Sequence, residues 1–202
     1  MRRITFIICL LLTLTSILSA RPKYYFNIGM TKPFAPEDFL TNWRSGYQIG
    51  AGIGFMLGDR LEIIPGLYYS NFSLNDANFL SGYLNDDEEV FSSVTGGTTN
   101  IFDVSADLKY VVPTKSASKI TPYLIGGVGF ASHIVTEKNI TTSTDPITEE
   151  KQSNQIACAG AGIGFEFIMG KNTYFVVEGR FNMLFTDETT VYAPIKLGIM
   201  IK

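Results

Sequence analysis

Apolar and polar side chains alternate along most of this chain, and the charges keep to one phase of the alternation. From Asn100 to Val112, Phe102, Val104, Ala106, Leu108 and Tyr110 fall on one face, and Asp103, Ser105, Asp107 and Lys109 on the other. From Thr173 to Leu184 the split is Phe175, Val177, Gly179, Phe181 and Met183 against Tyr174, Val176, Glu178, Arg180 and Asn182. A period of two belongs to β-strands, whose successive side chains point to opposite sides, and no window carries a convincing helical stripe. The phrase AGIGF, at Ala51–Phe55 and again at Ala161–Phe165, obeys the same rule. Ile and Phe keep the apolar phase, and the glycines take the other. A dinucleotide-binding glycine loop would bend into a helix after its glycines. Here alternation continues through MLGDR and EFIMG, so the glycines read as space left on a crowded face.

Eight strands are expected: Lys23–Met30, Gly46–Leu57, Leu61–Phe72, Asn100–Val112, Ile120–Ser132, Asn154–Met169, Thr173–Leu184 and Val191–Lys202. Most exceed the mode of about 5–6 residues in soluble sheets and approach the ~9–11 of a tilted membrane strand. Connectors of 15, 27, 21 and 6 residues alternate with connectors of 3, 7 and 3. Long loops at one rim and tight turns at the other are the mark of an antiparallel up-and-down barrel. GDR at Gly58–Arg60 and GKN at Gly170–Asn172 are the tightest turns.

Which face points inward follows from what each face could solvate. With 46% hydrophobic and only 17% charged residues, the charged face is too lean for a water-exposed surface and is mixed with glycines and aromatics. The apolar face carries Tyr47, Tyr69, Phe102, Phe130 and Phe185 toward the long loops. Tyr24, Tyr110, Phe165, Phe167 and Phe175 lie toward the short turns. Two aromatic girdles around an aliphatic belt match the two interfaces of a bilayer. The expected fold is therefore all-β, an eight-stranded antiparallel up-and-down transmembrane β-barrel, with aliphatic residues such as Leu67 and Ile195 facing lipid. The barrel spans residues 21–202.

Residues 1–20 form a separate unit. MRR, an apolar run from Ile4 to Leu18 and the small pair Ser19–Ala20 describe a secretory signal peptide. Its removal leaves 14 bases against 19 acids and a single cysteine, Cys158, so the fold must hold without an internal disulfide.

An eight-stranded barrel is just wide enough for its own side chains to fill. Glu62, Asp103, Asp107, Glu166 and Glu178 would share that interior with Lys109, Arg180 and Lys196. Isolated charges there are costly, so an ion-pair network filling the lumen is expected. His133, the only histidine, stands beside Ser132 where the fifth strand meets a long loop. Adjacent strand residues point to opposite faces, which argues against a serine–histidine catalytic pair. The long loops hold 13 acids, Asp86, Asp87, Glu88 and Glu89 among them, against Lys32, Arg44, Lys138 and Lys151. NDDEEV lacks the spacing of a calcium loop, so solvated, mobile acidic loops attracting cations or basic partners are expected. No metal, cofactor or nucleic acid is implied.

TPYLIGGVGF in the fifth strand, AGAGIGFEF in the sixth and YFVVEGRFN in the seventh resemble the small outer-membrane β-barrel domain proteins of the OmpA/OmpX-like transmembrane type. The resemblance covers most of Lys23–Lys202. It implies residence in the outer membrane of a Gram-negative-type bacterium, contact with membrane lipid and with the outer-membrane assembly machinery, and a monomeric state. It departs at the end, where GIMIK stands in place of the family's usual terminal aromatic. The function expected is non-enzymatic: envelope integrity or surface interaction, with a cationic or cell-surface partner reached through the loops. The alternatives are a narrow porin-like channel and, further off, a lipid-modifying enzyme.

Overall fold

The structure, a computed structural model, describes residues 22–81, 93–114, 118–141 and 147–202. The signal peptide, Cys9, Lys115 and the acids Asp86–Glu89 lie outside the described residues. Eight long strands build the wall: β1 (Lys23–Ala35), β2 (Gly46–Met56), β3 (Leu61–Ser73), β5 (Thr98–Val111), β6 (Ile120–Val135), β9 (Gln152–Ile168), β10 (Thr173–Leu184) and β11 (Thr190–Ile201). Each pairs antiparallel with its neighbours in the order β1-β11-β10-β9-β6-β5-β3-β2, and β2 pairs with β1 to close the ring. Outside the barrel, β4 (Ser93–Gly96), β7 (Lys138–Thr141) and β8 (Ile147–Glu149) make a small sheet in the order β4-β7-β8.

The register sorts side chains as the alternation requires. Leu67 pairs with Val104, and both face out, at 62% and 60% exposure; Ile195 is 65% exposed. Their neighbours in the other phase, Glu62, Asp107, Lys109 and Lys196, are all buried. Apolar groups outside and ionic groups inside is the reverse of a water-soluble carrier barrel. It is the arrangement that hydrocarbon surroundings stabilise.

Inward-facing glycines make room for that interior. A methyl group placed on Gly164 would stand 2.3 Å from the Tyr123 ring, and one on Gly54 would stand 1.9 Å from a Glu62 carboxylate oxygen. Both AGIGF copies thus set a strip of bare backbone against a large polar side chain of the adjacent strand. Gly179, which faces out, has nothing within 4 Å of such a methyl.

The long-loop end departs from the sequence reading. β1 runs five residues past Met30, and β6 runs three past Ser132. The connectors are not simply solvated: they carry two helices, α1 (Glu37–Asn42) and α2 (Asp76–Ser81), besides the small sheet. Six residues are too few to display an amphipathic stripe, and such helices persist through tertiary packing rather than propensity. α1 begins after Pro36 with Glu37 and Asp38 in its first turn, where negative charge suits the exposed N–H groups.

Gly164→Ala should lower the unfolding midpoint of the refolded barrel by the equivalent of about 1–3 kcal/mol, as overpacking does. Gly179→Ala should stay within about 0.5 kcal/mol of the parent. Urea unfolding in micelles, followed by gel mobility, compares the two.

Candidate functional site

The inward faces of the eight strands meet in a filled lumen with two linked ionic groups. Toward the short turns, Lys23 of β1 bonds Glu62 of β3 at 2.7 Å, and Lys109 of β5 reaches Glu62 at 3.4 Å and pairs closely with Glu166 of β9. The Tyr25 hydroxyl donates to Glu62 at 2.7 Å and accepts from Lys109 at 2.8 Å. Deeper in, Arg180 of β10 forms a two-pronged bond to Asp107, 2.9 Å on each side, and its Nε donates to Glu178 at 2.5 Å. Lys196 of β11 holds the same Glu178 oxygen at 2.7 Å. Tyr123 joins the two groups. The Lys109 ammonium lies 4.7 Å from its ring centre, while its hydroxyl donates to Glu178 at 2.7 Å. Tyr68 likewise donates to Asp107 at 3.0 Å beneath the Lys196 ammonium.

Four bases and four acids thus neutralise one another, and each takes part in at least one ion pair. Glu62 is 0% and Lys109 1% exposed, so the pairs are shielded from the salt and water that weaken surface bridges. Of the eight lumen residues expected from the sequence, seven join these bonds. Asp103 does not: it is buried on the same face, enters none of the ion pairs among the described residues, and its Oδ1 has no hydrogen-bond partner. Lys23 was missed, although it stands in phase with Tyr25 on β1. Its neutralising role depends on β1 lying beside β2 and within reach of β3, which no local pattern reveals.

Apolar side chains pack among the ions and beyond them toward the long loops. Ile64, Tyr123, Ile125, Val176 and Met200 form one cluster, and Phe72, Ile101, Ala131, Cys158, Leu184 and Tyr192 form the other. Phe39 of α1 caps the second cluster, with its ring 5.1 Å from Phe72. A cavity of ≈ 30 Å³ beside Tyr25, Tyr68 and Lys196, and another of ≈ 10 Å³ beside Asp103, are water-sized rather than channel-sized.

Beyond the rim, Leu74, Phe79, Val94 and Ile140 form a third core under the external sheet. Lys138 of β7 is buried there, bonded to Glu149 at 2.6 Å and lying 4.7 Å from the Phe79 ring and 5.8 Å from Trp43. One side chain thereby ties the first three long loops together. His133 and Ser132 take opposite faces of β6: His133 is level with Ile101, Ser132 with Phe102.

A closed ring of eight antiparallel strands, aliphatic outside and ionic within, defines a transmembrane β-barrel. The outer membrane protein beta-barrel domain model matches residues 7–196, and the chain belongs to that family. Its place is the outer membrane. Among solved structures it is similar to Neisserial surface protein A, at 12% identity over 90% of this chain and 96% of that one, with a TM-score of 0.56. It is also similar to a major outer membrane protein from Thermus thermophilus, at 12% identity over 90% and 99%, with a TM-score of 0.54. These likenesses show the fold. No curated protein matches the chain.

Replacing Arg180 by Met would leave buried Asp107 without a cation and Glu178 with Lys196 alone. The unfolding free energy of the refolded barrel should fall by about 3–5 kcal/mol, against a smaller loss for Arg180→Lys, which keeps the charge without the two-pronged geometry.

Proposed function

We propose that the chain acts without catalysis, as a stoppered outer-membrane barrel that supports envelope integrity or surface interaction through its external cap. The balanced ion-pair network across the lumen carries this reading. Eight neutralising side chains and the apolar groups packed among them fill the lumen, and the voids beside Tyr25 and beside Asp103 are water-sized. Conducting ions would have to break bonds whose separated charges are costly.

On this reading, residues 1–20 are a removed signal peptide. The mature 21–202 barrel works as a monomer after insertion by the assembly machinery. Exposed acids on the described cap, Glu37, Asp38, Asp76, Glu137, Glu150, Asp187 and Glu188, favour a cationic or cell-surface partner. The cap's own core supports presentation of that surface as a fixed shape.

A narrow channel is the competing reading, and Asp103, outside the ion pairs of the described residues with its Oδ1 unbonded, is the observation in its favour. Refolded protein in planar bilayers should show no sustained, well-defined conductance steps; such steps would overturn the stoppered reading. His133→Ala should leave acyl-hydrolase turnover of lipid substrates at the background level shared with the parent. A parent activity lost in the variant would instead make this an enzyme.

A further inference from the structure

On the lipid-facing side of β3, the outward positions run Leu61, Ile63, Pro65, Leu67, Tyr69 and then Asn71. On β5, from the same end, they run Tyr110, Leu108, Ala106, Val104, Phe102 and then Asn100. The two asparagines are direct cross-strand partners just above the aromatic row. Asn71 Nδ2 donates to Asn100 Oδ1 at 2.9 Å, and the Tyr69 hydroxyl donates to the same oxygen at 2.7 Å. Beneath them, the Tyr47 and Tyr69 ring centres are 6.0 Å apart, and those of Tyr69 and Phe102 are 4.7 Å apart. Tyr47 and Phe102 are about half exposed. Above stands Arg44, exposed, its backbone N–H bonded to the Ser73 carbonyl at 2.9 Å. It enters no ion pair among the described residues. Lower on the wall, Tyr24 of β1, Ala51 and Ile53 of β2, Pro65 and Leu67 of β3 and Val104 of β5 line an apolar hollow of ≈ 600 Å³.

We propose that this stretch of wall binds the phosphorylated sugar headgroup of an outer-leaflet glycolipid. The C–H face of a sugar ring packs on aromatic rings. Its hydroxyls exchange hydrogen bonds with amides, and Asn71 Oδ1 and Asn100 Nδ2 are uncommitted to other bonds among the described residues. A headgroup phosphate suits the guanidinium of Arg44, an exposed base just beyond this row, with Lys32 exposed on the outward phase of the neighbouring β1. An acyl chain would descend into the hollow below. Phosphatidylglycerol offers the phosphate and the chain but no ring to stack. This site deepens the envelope-integrity reading and rests on it only in placing the long-loop rim at the outer leaflet. It is indifferent to whether the lumen conducts.

The test uses the mature chain refolded in detergent micelles, with lipid A, monophosphoryl lipid A or phosphatidylglycerol added at equal mole fraction. The heat-unfolding midpoint is read from gel mobility. Lipid A should raise it by about 5 °C at saturating occupancy, at least twice the rise with phosphatidylglycerol. Asn71→Ala combined with Asn100→Ala should abolish the excess over phosphatidylglycerol. Arg44→Ala, in a loop, should abolish the difference between lipid A and its monophosphoryl form. Equal shifts with lipid A and phosphatidylglycerol would overturn the site, as would a double variant that keeps the lipid A excess. Should the double variant fail to refold, Arg44→Ala decides: retention of the full lipid A advantage overturns the proposal. Glucosamine 1-phosphate tested alone separates recognition of the soluble phosphosugar from recognition of the membrane lipid. A rise matching that of lipid A would count against a lipid site.

Discussion

Hydrocarbon offers no partner to a backbone N–H or C=O, so a strand edge left open in a bilayer is costly at every residue. The pairing of β2 with β1, from Lys23 opposite Gly54 to Thr31 opposite Gly46, removes the last edge. Closure then dictates the rest. With the outside apolar, the polar half of each alternating strand is driven into a space only wide enough for side chains. The charges must then satisfy one another there.

The lumen solves that problem by matching size and sign together. Tyrosines 25, 68 and 123 hydrogen-bond to the acids and stack against the cations. They fit because glycines stand opposite them on neighbouring strands, as Gly164 does to Tyr123 and Gly50 to Tyr68. The apparent monotony of the glycine-rich phrases is the complement of a bulky, charged interior. Removing bulk from one strand permits charge on the next, and neither feature is intelligible alone. The same bonds also fix register, since a one-residue slip would turn Arg180 or Lys109 toward lipid.

The two rims have different tasks. At the short-turn rim β2 and β3, and β9 and β10, are joined by tight turns, and the ions lie close to the mouth. At the other, the wall extends past the aliphatic belt and passes through aromatic and amide groups. It then gives way to a cap with its own core, pinned by Lys138 between Phe79 and Trp43. Phe39 links cap and barrel by sealing the upper lumen. Surface chemistry outside and closure inside are therefore mechanically joined: a change in the first loop bears on the plug as well as on the outer surface.

Strand number, order and facing were legible because alternation is a local property, and each wall strand had to obey it along its whole length. All eight expected lumen residues face inward for the same reason: phase alone sends a charge inward. Phase cannot say which charge meets which. Arg180 bonds Asp107 across 73 positions and Lys109 bonds Glu166 across 57, and those partnerships arise only when shear and closure bring distant strands to one level. Lys23 entered the network and Asp103 was left outside it on that basis. The helices α1 and α2 and the external sheet were equally hidden, being too short to carry a period and held by contacts among loops far apart in the chain. The sequence by itself determined which side of every wall strand would meet lipid. Only the tertiary structure decided how the inward charges would be shared and the mouth covered, because those depend on distances across the ring rather than along the chain.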